Sequence, residues 1–211
     1  MKIHKINKNF ALLYGILLGD GCISSSSSKY FISVVGNIYD DIHFYEKIVI
    51  PLFNGFRDKN TVYRKRPKYG KIEINFSDKD LFQYIRSVGF PVGKKGTKLL
   101  IPNKLRKYTK EVIAGLFATD GSLVLTDNNG ILYPRIEIRS LSRKMLEQTR
   151  DFLNMNGLNG YVYKVKEKSI MYRLQFNGRK NLFKFRKKIG FINPKHEDKF
   201  NRYIKLEKTP M

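Results

Sequence analysis

The sequence predicts an α+β fold made of two copies of one unit, related by a pseudo-twofold axis within a single chain. The segment LLYGILLGDG at 12–21 returns as VIAGLFATDG at 112–121, and Asp-Gly closes both segments at an offset of 100. Likewise, IEINFSDKDLFQYIRSVGF at 72–90 resembles YRLQFNGRKNLFKFRKKIGF at 172–191. The duplication therefore covers nearly the whole chain, as in a homodimer whose subunits have been fused.

Each half is expected to run helix, strands, helix, strands, helix. The serine run at 24–28 is expected to form a flexible loop. The first half is predicted to contain a motif helix at 12–21, a strand at YFISVV, an amphipathic helix at 44–55, a hairpin at 61–76 that turns at PKYG, and a helix at 80–90.

The second half repeats this order. Its predicted elements are a motif helix at 112–121, a strand at 133–139, an amphipathic helix at 145–157, and strands at 161–166 and 171–176. The connection at 93–110 is too short to be a separate domain. We therefore expect two tandem repeats, at 1–96 and 97–211.

The charge of the chain indicates a polyanionic partner. Lys and Arg number 41 against 18 Asp and Glu, which gives a net charge of +23, and 42% of the residues are hydrophobic. A globular protein with this excess of positive charge is typical of nucleic-acid binding. A basic solvated surface, such as RNA-bound proteins carry, is the other explanation, and it also implies nucleic acid.

Cysteine and histidine content excludes several classes of protein. Cys22 is the single cysteine, so no internal disulfide can form, and His4, His43 and His196 give little basis for a zinc site. No secretion signal is recognisable, and the longest apolar run, 11–19, is too short to cross a membrane. We expect an intracellular, soluble protein in the cytoplasm of a prokaryote or inside an organelle.

Small residues on the two motif helices predict close packing between them. Gly15 and Gly19 leave one face of the first helix bare, and Gly115 and Ala118 supply small residues on the second. Such spacing lets two helix backbones approach each other. We expect these helices to form the common interface of the two halves.

That packing would bring Asp20 and Asp120 together at the C-terminal ends of the helices. A helix C-terminus already carries unpaired carbonyls and negative potential, so two carboxylates there require a cation. An all-oxygen site of this kind suits Mg²⁺. A single Asp-Gly after a helix is commonly an ordinary turn, but its recurrence at matched positions favours metal binding.

The two motifs resemble the signature of the LAGLIDADG homing endonucleases. The nine-letter signature falls on LYGILLGDG at 13–21 and on IAGLFATDG at 113–121, and the first copy departs from it at Tyr14 and Gly19. The order of elements extends the resemblance over nearly the entire chain. Two motifs about 100 residues apart are similar to the single-chain, two-repeat branch of the family.

This resemblance implies an αββαββα core in each half, with saddle-shaped antiparallel sheets seated on DNA. The family's metal-binding carboxylates carry over to Asp20 and Asp120, with the backbone carbonyls of Gly19 and Thr119 as further ligands. The implied activity is Mg²⁺-dependent hydrolysis of both strands across the minor groove, which leaves short 3′ overhangs. Mn²⁺ or Ca²⁺ would substitute for binding. The implied partner is double-stranded DNA, bound by a monomer.

The family also places a basic residue near each scissile phosphate. Lys98 and Lys199 occupy corresponding positions of the two repeats and are candidates for this catalytic role. Ordinary surface charge is the other explanation in so basic a chain. Many relatives carry a polar residue, often Gln, where the second strand meets the helix, whereas this chain has Asn37 and Ser140 there as candidates for organising water.

Alternating polar residues on the predicted strands indicate how a target would be read. A two-stranded ribbon fits the major groove, and Arg, Lys, Asn and Gln suit the edges of guanine and adenine. A solvated sheet face alternates in the same manner. The candidate DNA-binding residues are Lys29, Ser33, Arg64, Arg66, Lys71, Glu73, Asn75, Arg135, Glu137, Arg139, Lys164, Lys166, Arg173 and Gln175.

Three functions remain open at this point. The leading hypothesis is a site-specific endonuclease; the others are a non-catalytic DNA-binding regulator on the same scaffold and a maturase that binds intron RNA. Cutting of duplex DNA separates the first from the second, and binding to a folded intron tests the third. The chain begins with Met1 and shows no flanking splicing segment, so an intein-embedded form is not expected.

Overall fold

The computed structural model describes residues 5–129, 131–165 and 170–207. The first half contains a four-stranded antiparallel sheet in the order β1-β2-β4-β3, with helices on one face. Its elements are α1 (Lys8–Asp20), β1 (Gly21–Ser26), β2 (Lys29–Asn37), α2 (Ile42–Phe44), a π-helical turn (Tyr45–Val49), α3 (Ile50–Phe56), β3 (Arg64–Arg66), β4 (Lys71–Ser77) and α4 (Lys79–Val88).

The second half has a sheet of the same order, β5-β6-β8-β7. Its elements are α5 (Thr109–Asp120), β5 (Gly121–Asn128), β6 (Ile131–Ser140), α6 (Arg143–Met155), β7 (Gly160–Val165), β8 (Met171–Asn177), α7 (Gly178–Lys188) and an additional helix, α8 (Pro194–Glu207). The α2, π-turn and α3 segments of the first half correspond to the single helix α6. Each half therefore has the predicted αββαββα order, and α8 follows the second copy.

The two motif helices, α1 and α5, pack side by side at the centre of the molecule. Both are buried almost all round, which their uniformly apolar sequences require. A Cβ at Gly15 would collide with the carbonyl of Val112, and a Cβ at Gly115 would collide with the carbonyl of Leu12. The backbones therefore touch at these two glycines, as the sequence predicts.

The segment that connects the two halves makes hydrogen bonds with both of them. Val92 forms a parallel bridge with Ile23 of β1, and the segment then passes through short 3-10 turns at 96–98 and 103–108. The carbonyl of Leu99 accepts a hydrogen bond of 2.6 Å from the buried Ser142 hydroxyl at the start of α6. The predicted boundary at 96/97 falls within the first of these turns and stays a proposal.

The serine run at 24–28 is not the flexible loop expected from its composition. Ser24 to Ser26 complete β1, paired antiparallel with β2 down to Ser26 opposite Lys29. Ser27 and Ser28 form the hairpin turn, with φ of 47° and 64°, which is the left-handed conformation that a two-residue hairpin requires. Strand pairing overrides the low intrinsic β-propensity of serine here. Among the helices in the described residues, none has the length and apolarity needed to cross a membrane.

Candidate metal centre and nucleic-acid interface

Asp20 and Asp120 are the last residues of α1 and α5, and a strand begins directly after each. The N–H groups of Gly21 and Gly121 donate to the carbonyls four residues back, so each helix ends as the chain turns into its strand. A Cβ on either glycine would collide with the last helical turn. The Asp-Gly pair therefore ends the helix with a carboxylate at its tip.

The two carboxylates face one another across the ends of the helix pair. Gly19 lies directly against Thr119, and a Cβ at Gly19 would be 3.3 Å from the carboxyl carbon of Asp120. Loss of hydration is the main cause that raises the pKa of Asp20 to about 7, with repulsion from Asp120 and Asp41 adding to it. Asp120 is partly in contact with solvent, yet the protein around its carboxyl removes enough hydration to raise its pKa to about 6.

Lys95 holds the C-terminal end of α1. Its Nζ donates to the carbonyls of Leu17 at 3.1 Å and Leu18 at 3.0 Å, and also to the carbonyl of Gly19. A cation at a helix C-terminus is favourable because it neutralises the unpaired carbonyls. Burial lowers the pKa of Lys95, while the attraction of Asp120 and Asp20 acts in the opposite direction.

The C-terminal end of α5 is held differently. The buried Asn193 amide donates to the carbonyl of Ala118 at 2.8 Å and to Oδ1 of Asp41 at 2.9 Å. Lys195 Nζ donates to the same Asp41 oxygen at 2.8 Å, and the backbone N–H of Asn37 donates to the other at 2.9 Å. A buried carboxylate of the first half thus fixes two side chains of the second. The charges of Lys195 and Lys95 both lower the pKa of Asp20 and of Asp120.

A cavity of about 340 Å³ opens at these helix ends. It runs from the tip of α1 towards the end of β6. Its polar lining includes the backbone of Gly19 and the side chains of Lys95, Asp120, Arg139 and Ser140. A phosphate group could therefore reach a carboxylate, a lysine and an arginine in one place.

The donors at this centre fit a hard divalent cation. Carboxylates and helix-end carbonyls are oxygen ligands, and a site with few protein ligands suits Mg²⁺, which keeps several of its waters. In residues 5–129, 131–165 and 170–207, no three His, Cys, Asp or Glu side chains gather as a ligand cluster. Asp20 and Asp120, with the carbonyls of Gly19 and Thr119, stay the predicted ligands, and a divalent cation there would stabilise the ionised carboxylates, whose pKa values are raised mainly by lost hydration.

The other residues predicted around this centre differ in their exposure and in their contacts. Lys98 and Lys199 are exposed, and their catalytic role stays a prediction. Asn37 uses its side-chain oxygen to accept from the backbone N–H of Tyr39 at 2.8 Å, within a local turn. Ser140 accepts from the N–H of Ser142 at 3.1 Å and lines the cavity.

Sequence reasoning missed Lys95, Lys195, Asp41 and Asn193. One signal could have found the two lysines, since they stand 100 positions apart, at the same offset as the two aspartates. Asp41 had no such signal, because its partners lie more than 150 residues further along the chain.

The strand registers place most of the candidate DNA-binding residues on the sheet faces turned away from the helices. Lys164 is an exception, because it is paired with Tyr172 and so points to the opposite face from Arg173 and Gln175. Lys166 lies outside the described residues. The residues that share the outer faces are Lys29, Ser33, Arg64, Arg66, Lys71, Glu73 and Asn75 of the first sheet, and Arg135, Glu137, Arg139, Arg173 and Gln175 of the second.

Sequence comparison finds relatives in longer proteins. Residues 107–190 match the family model described as a LAGLIDADG-like domain. A probable translation initiation factor IF-2 of Thermococcus kodakarensis is 27% identical over 201 residues, which cover 93% of this chain and 16% of that protein. An uncharacterized protein of Methanocaldococcus jannaschii is 28% identical over 88% of this chain and 21% of its own length. The chain thus spans less than a quarter of either relative.

Structural comparison finds homing endonucleases. I-WcaI bound to its DNA recognition sequence superimposes with a TM-score of 0.65 at 16% identity, covering 92% of this chain and 87% of that one. I-SmaMI bound to an uncleaved DNA target with calcium ions gives 0.64 at 12% identity, over 95% and 90%. I-DmoI in complex with DNA and Mn gives 0.61 at 17% identity, over 87% and 96%. At these identities, the likeness establishes a common fold and confirms the predicted one.

Proposed function

From the premise that this chain has the LAGLIDADG fold, with a LAGLIDADG-like domain at residues 107–190, we propose that it is a site-specific homing endonuclease. It makes a double-strand break in a long DNA target by hydrolysing one phosphodiester bond in each strand. The reaction depends on a divalent metal ion, with Mg²⁺ as the main cofactor. The enzyme acts as a monomer on double-stranded DNA.

One observation carries this proposal: Asp20 and Asp120 meet at the ends of two packed helices, between two sheets with basic outer faces. A module that only binds DNA has no need for two carboxylates there, since they repel each other and repel phosphate. The raised pKa values of both groups indicate that ionised carboxylates are unfavourable here, mainly because burial removes their hydration. Such a cost is expected where the carboxylates have a chemical task.

Asp20 and Asp120, with the carbonyls of Gly19 and Thr119, would hold the metal. When bound, a divalent cation supplies Lewis-acid stabilisation of charge on the scissile phosphate. The packing of α1 against α5 brings both carboxylates into one centre, so that one protein molecule serves both strands.

We assign charge stabilisation at the phosphates to Lys95 and Lys195. Their ammonium groups act on both carboxylates, so they are positioned to lower the energy of a phosphate that gains negative charge during the reaction. Lys98 and Lys199 remain the competing pair. The two sheets orient the duplex, with polar side chains directed at base edges in the major groove and peripheral lysines contacting phosphates.

A randomised duplex-DNA library tests the proposal. The wild-type chain with Mg²⁺ is expected to cut one long, near-twofold site, and Asp20→Asn and Asp120→Asn are each expected to lower the cleavage rate by at least about 100-fold. Selective binding in Ca²⁺ should survive both changes. Repeating the digestion with Mn²⁺ and Ca²⁺ ranks the metals.

Asp151→Asn is the matched control, since Asp151 pairs with Arg150 at 2.7 Å on the exposed face of α6, away from the centre. It should cut at the wild-type rate. Selective duplex binding with no cutting in any metal would replace the nuclease with a regulator. Binding to a folded intron but to no duplex would indicate a maturase.

A further inference from the structure

The outer face of the second sheet carries a buried acidic residue among its basic ones. Glu137 of β6 is only 5% exposed, although its side chain points away from the helices. Its Oε1 lies 3.6 Å from Nε of Arg135 on the same strand and 3.6 Å from Nη1 of Arg173 on β8. One carboxylate oxygen therefore stands between two guanidinium groups.

These contacts leave hydrogen-bonding capacity unused. Within the part of the chain that the structure describes, Nε of Arg135, Nε of Arg173 and Oε1 of Glu137 are buried without a hydrogen-bond partner. The side chains of Arg135 and Arg173 remain 32% and 18% exposed. Burying ions in this way stabilises a fold little, so the triad is better explained by a binding role.

Neighbouring side chains hold the same surface in a fixed arrangement. The Tyr163 hydroxyl donates to Oε1 of Gln175 at 2.5 Å, and the Gln175 amide donates to Oδ1 of Asn177 at 2.6 Å. The guanidinium of Arg173 stands 5.8 Å from the centre of the Tyr163 ring. Oriented in advance, such groups lose little entropy when they bind a ligand.

Among the residues that the structure describes, the first sheet has no equivalent of this triad. The position that matches Glu137 in register is Ser33, which pairs with Asn75 as Glu137 pairs with Gln175. The nearest counterpart of the triad is a single ion pair at 3.6 Å between Arg66 and Glu73, whose side chains are 51% and 26% exposed. Such an exposed pair orients an arginine only weakly.

We propose that Glu137 is a positioning residue that holds Arg135 and Arg173 to read two guanines in the half of the target bound by the second sheet. The inference rests on the proposed DNA-binding function. The planar fork of arginine matches the O6 and N7 acceptors of guanine, and a fixed fork discriminates better than a mobile one. Glu137 itself does not read a base, in contrast to the role predicted from the sequence. Base discrimination is consequently stronger in this half-site than in the other.

Glu137 also limits unspecific attraction to DNA. With its charge the triad carries one net positive charge rather than two. Replacing Glu137 by Gln should therefore strengthen binding to unrelated DNA and steepen the salt dependence by about one phosphate contact. Affinity for the true target and affinity for unrelated DNA would move closer together.

The test is competitive binding in Ca²⁺, on an Asp20→Asn background that does not cut. Duplexes carrying every single base-pair substitution of the selected site compete against the site itself. Glu137→Gln is expected to lose about 10-fold discrimination at two G·C pairs under the second sheet and none elsewhere. Glu147→Gln, a control with the same charge change at the surface of α6, where Glu147 pairs with Arg143 at 2.8 Å, should alter discrimination by less than about 2-fold.

Two further variants keep the test decisive if Glu137→Gln shows no cooperative thermal unfolding and is therefore not folded. Arg135→Lys and Arg173→Lys keep the charge but lose the fork, and each should relax one of the two G·C positions. Unchanged discrimination in Glu137→Gln, equal losses in Glu147→Gln, or relaxed positions that are not G·C pairs would overturn the inference.

The binding format separates this inference from the proposed function. If the wild-type chain cuts its site but Glu137→Gln discriminates normally, the inference alone fails. If the chain binds a site selectively but never cuts, the nuclease fails while the binding data still decide the role of Glu137. Absence of any selective duplex binding overturns both.

Discussion

The bodies of the two motif helices match each other, but their ends do not. Along the bodies, Gly15 and Gly115 each touch the backbone of the other helix. At the ends, Lys95 donates to three carbonyls of α1, whereas the carbonyl of Ala118 in α5 receives the amide of Asn193. The second lysine, Lys195, is instead paired with Asp41.

This difference shows which features duplication must preserve. A Cβ on either glycine would collide with the backbone of the other helix, so steric requirements keep the bodies alike. The carbonyls at a helix end accept any suitable donor, and an ammonium or an amide will serve. Chemistry of this kind tolerates divergence between the halves, while close packing does not.

The largest effects on stability should come from the helix bodies, which are alike in the two halves. Gly15→Ala and Gly115→Ala each place a methyl group against the partner backbone, and each should lower the free energy of unfolding by about 3 kcal/mol. Urea denaturation measures this. Gly55→Ala is the control, because nothing lies within 4 Å of a Cβ there, and it should be neutral or slightly stabilising. A large cost at one central glycine and none at the other would show that the helix bodies are not equivalent.

Lys95 and Lys195 test the helix ends, where the two halves differ. Lys95→Met should slow cleavage about 100-fold, which corresponds to about 2.7 kcal/mol of lost charge stabilisation, and Lys195→Met should do the same. Lys98→Met and Lys199→Met are the matched controls, since these side chains are exposed, and they should change the rate by less than about 3-fold. Single-turnover cleavage of both strands is the measurement. The reverse ranking would return the catalytic role to Lys98 and Lys199.

Removing Asp41 should cost about 2 kcal/mol of folding free energy, because Lys195 and the buried Asn193 amide both lose their acceptor. Thermal and urea unfolding of Asp41→Ala measure the loss. Glu147→Ala is the control, since Glu147 pairs with Arg143 at the surface of α6, and it should cost at most about 0.5 kcal/mol. Equal costs for the two variants would mean that Asp41 does not join the halves.

The remaining effect concerns pH. The pKa of Asp20 is raised from 3.8 to about 7, so in the absence of metal the folded protein holds a proton that the unfolded chain releases. Stability therefore falls as pH rises through this window. Asp20→Asn should be more stable than wild type at pH 8 in EDTA, and the difference should vanish below pH 4.

His196 acts in the opposite direction, since burial lowers its pKa from 6.5 to about 4, and its contribution to stability rises with pH between these values. It is present in both proteins, so the difference between wild type and Asp20→Asn isolates the aspartate. Asp151→Asn should show no pH-dependent difference. A constant difference between pH 4 and pH 8 for Asp20→Asn would contradict the assigned shift.

The sequence predicted the parts of the site that depend on local pattern. The two aspartates could be predicted because each ends a helix whose apolar sequence recurs. The lysines could not, because Lys94, Lys95 and Lys98 all follow the same helix, and only the fold decides which ammonium reaches the carbonyls of α1. Alternation along an edge strand likewise failed to assign the face of Lys164, which the pairing with Tyr172 determines.

The connection between the halves bears on how such proteins could be recombined. Up to the turn at 96–98 it belongs with the first half, through the bridge from Val92 to Ile23 and the contacts of Lys95 with α1. From Leu99 onward it belongs with the second half, because Leu99 bonds to Ser142, which caps α6, and Ile101 bonds to Gln148 within α6. A chimera with a half from a relative should therefore be joined between 98 and 99. A junction before Lys95 would separate the tip of α1 from its lysine, and one after Ile101 would leave α6 without its partners.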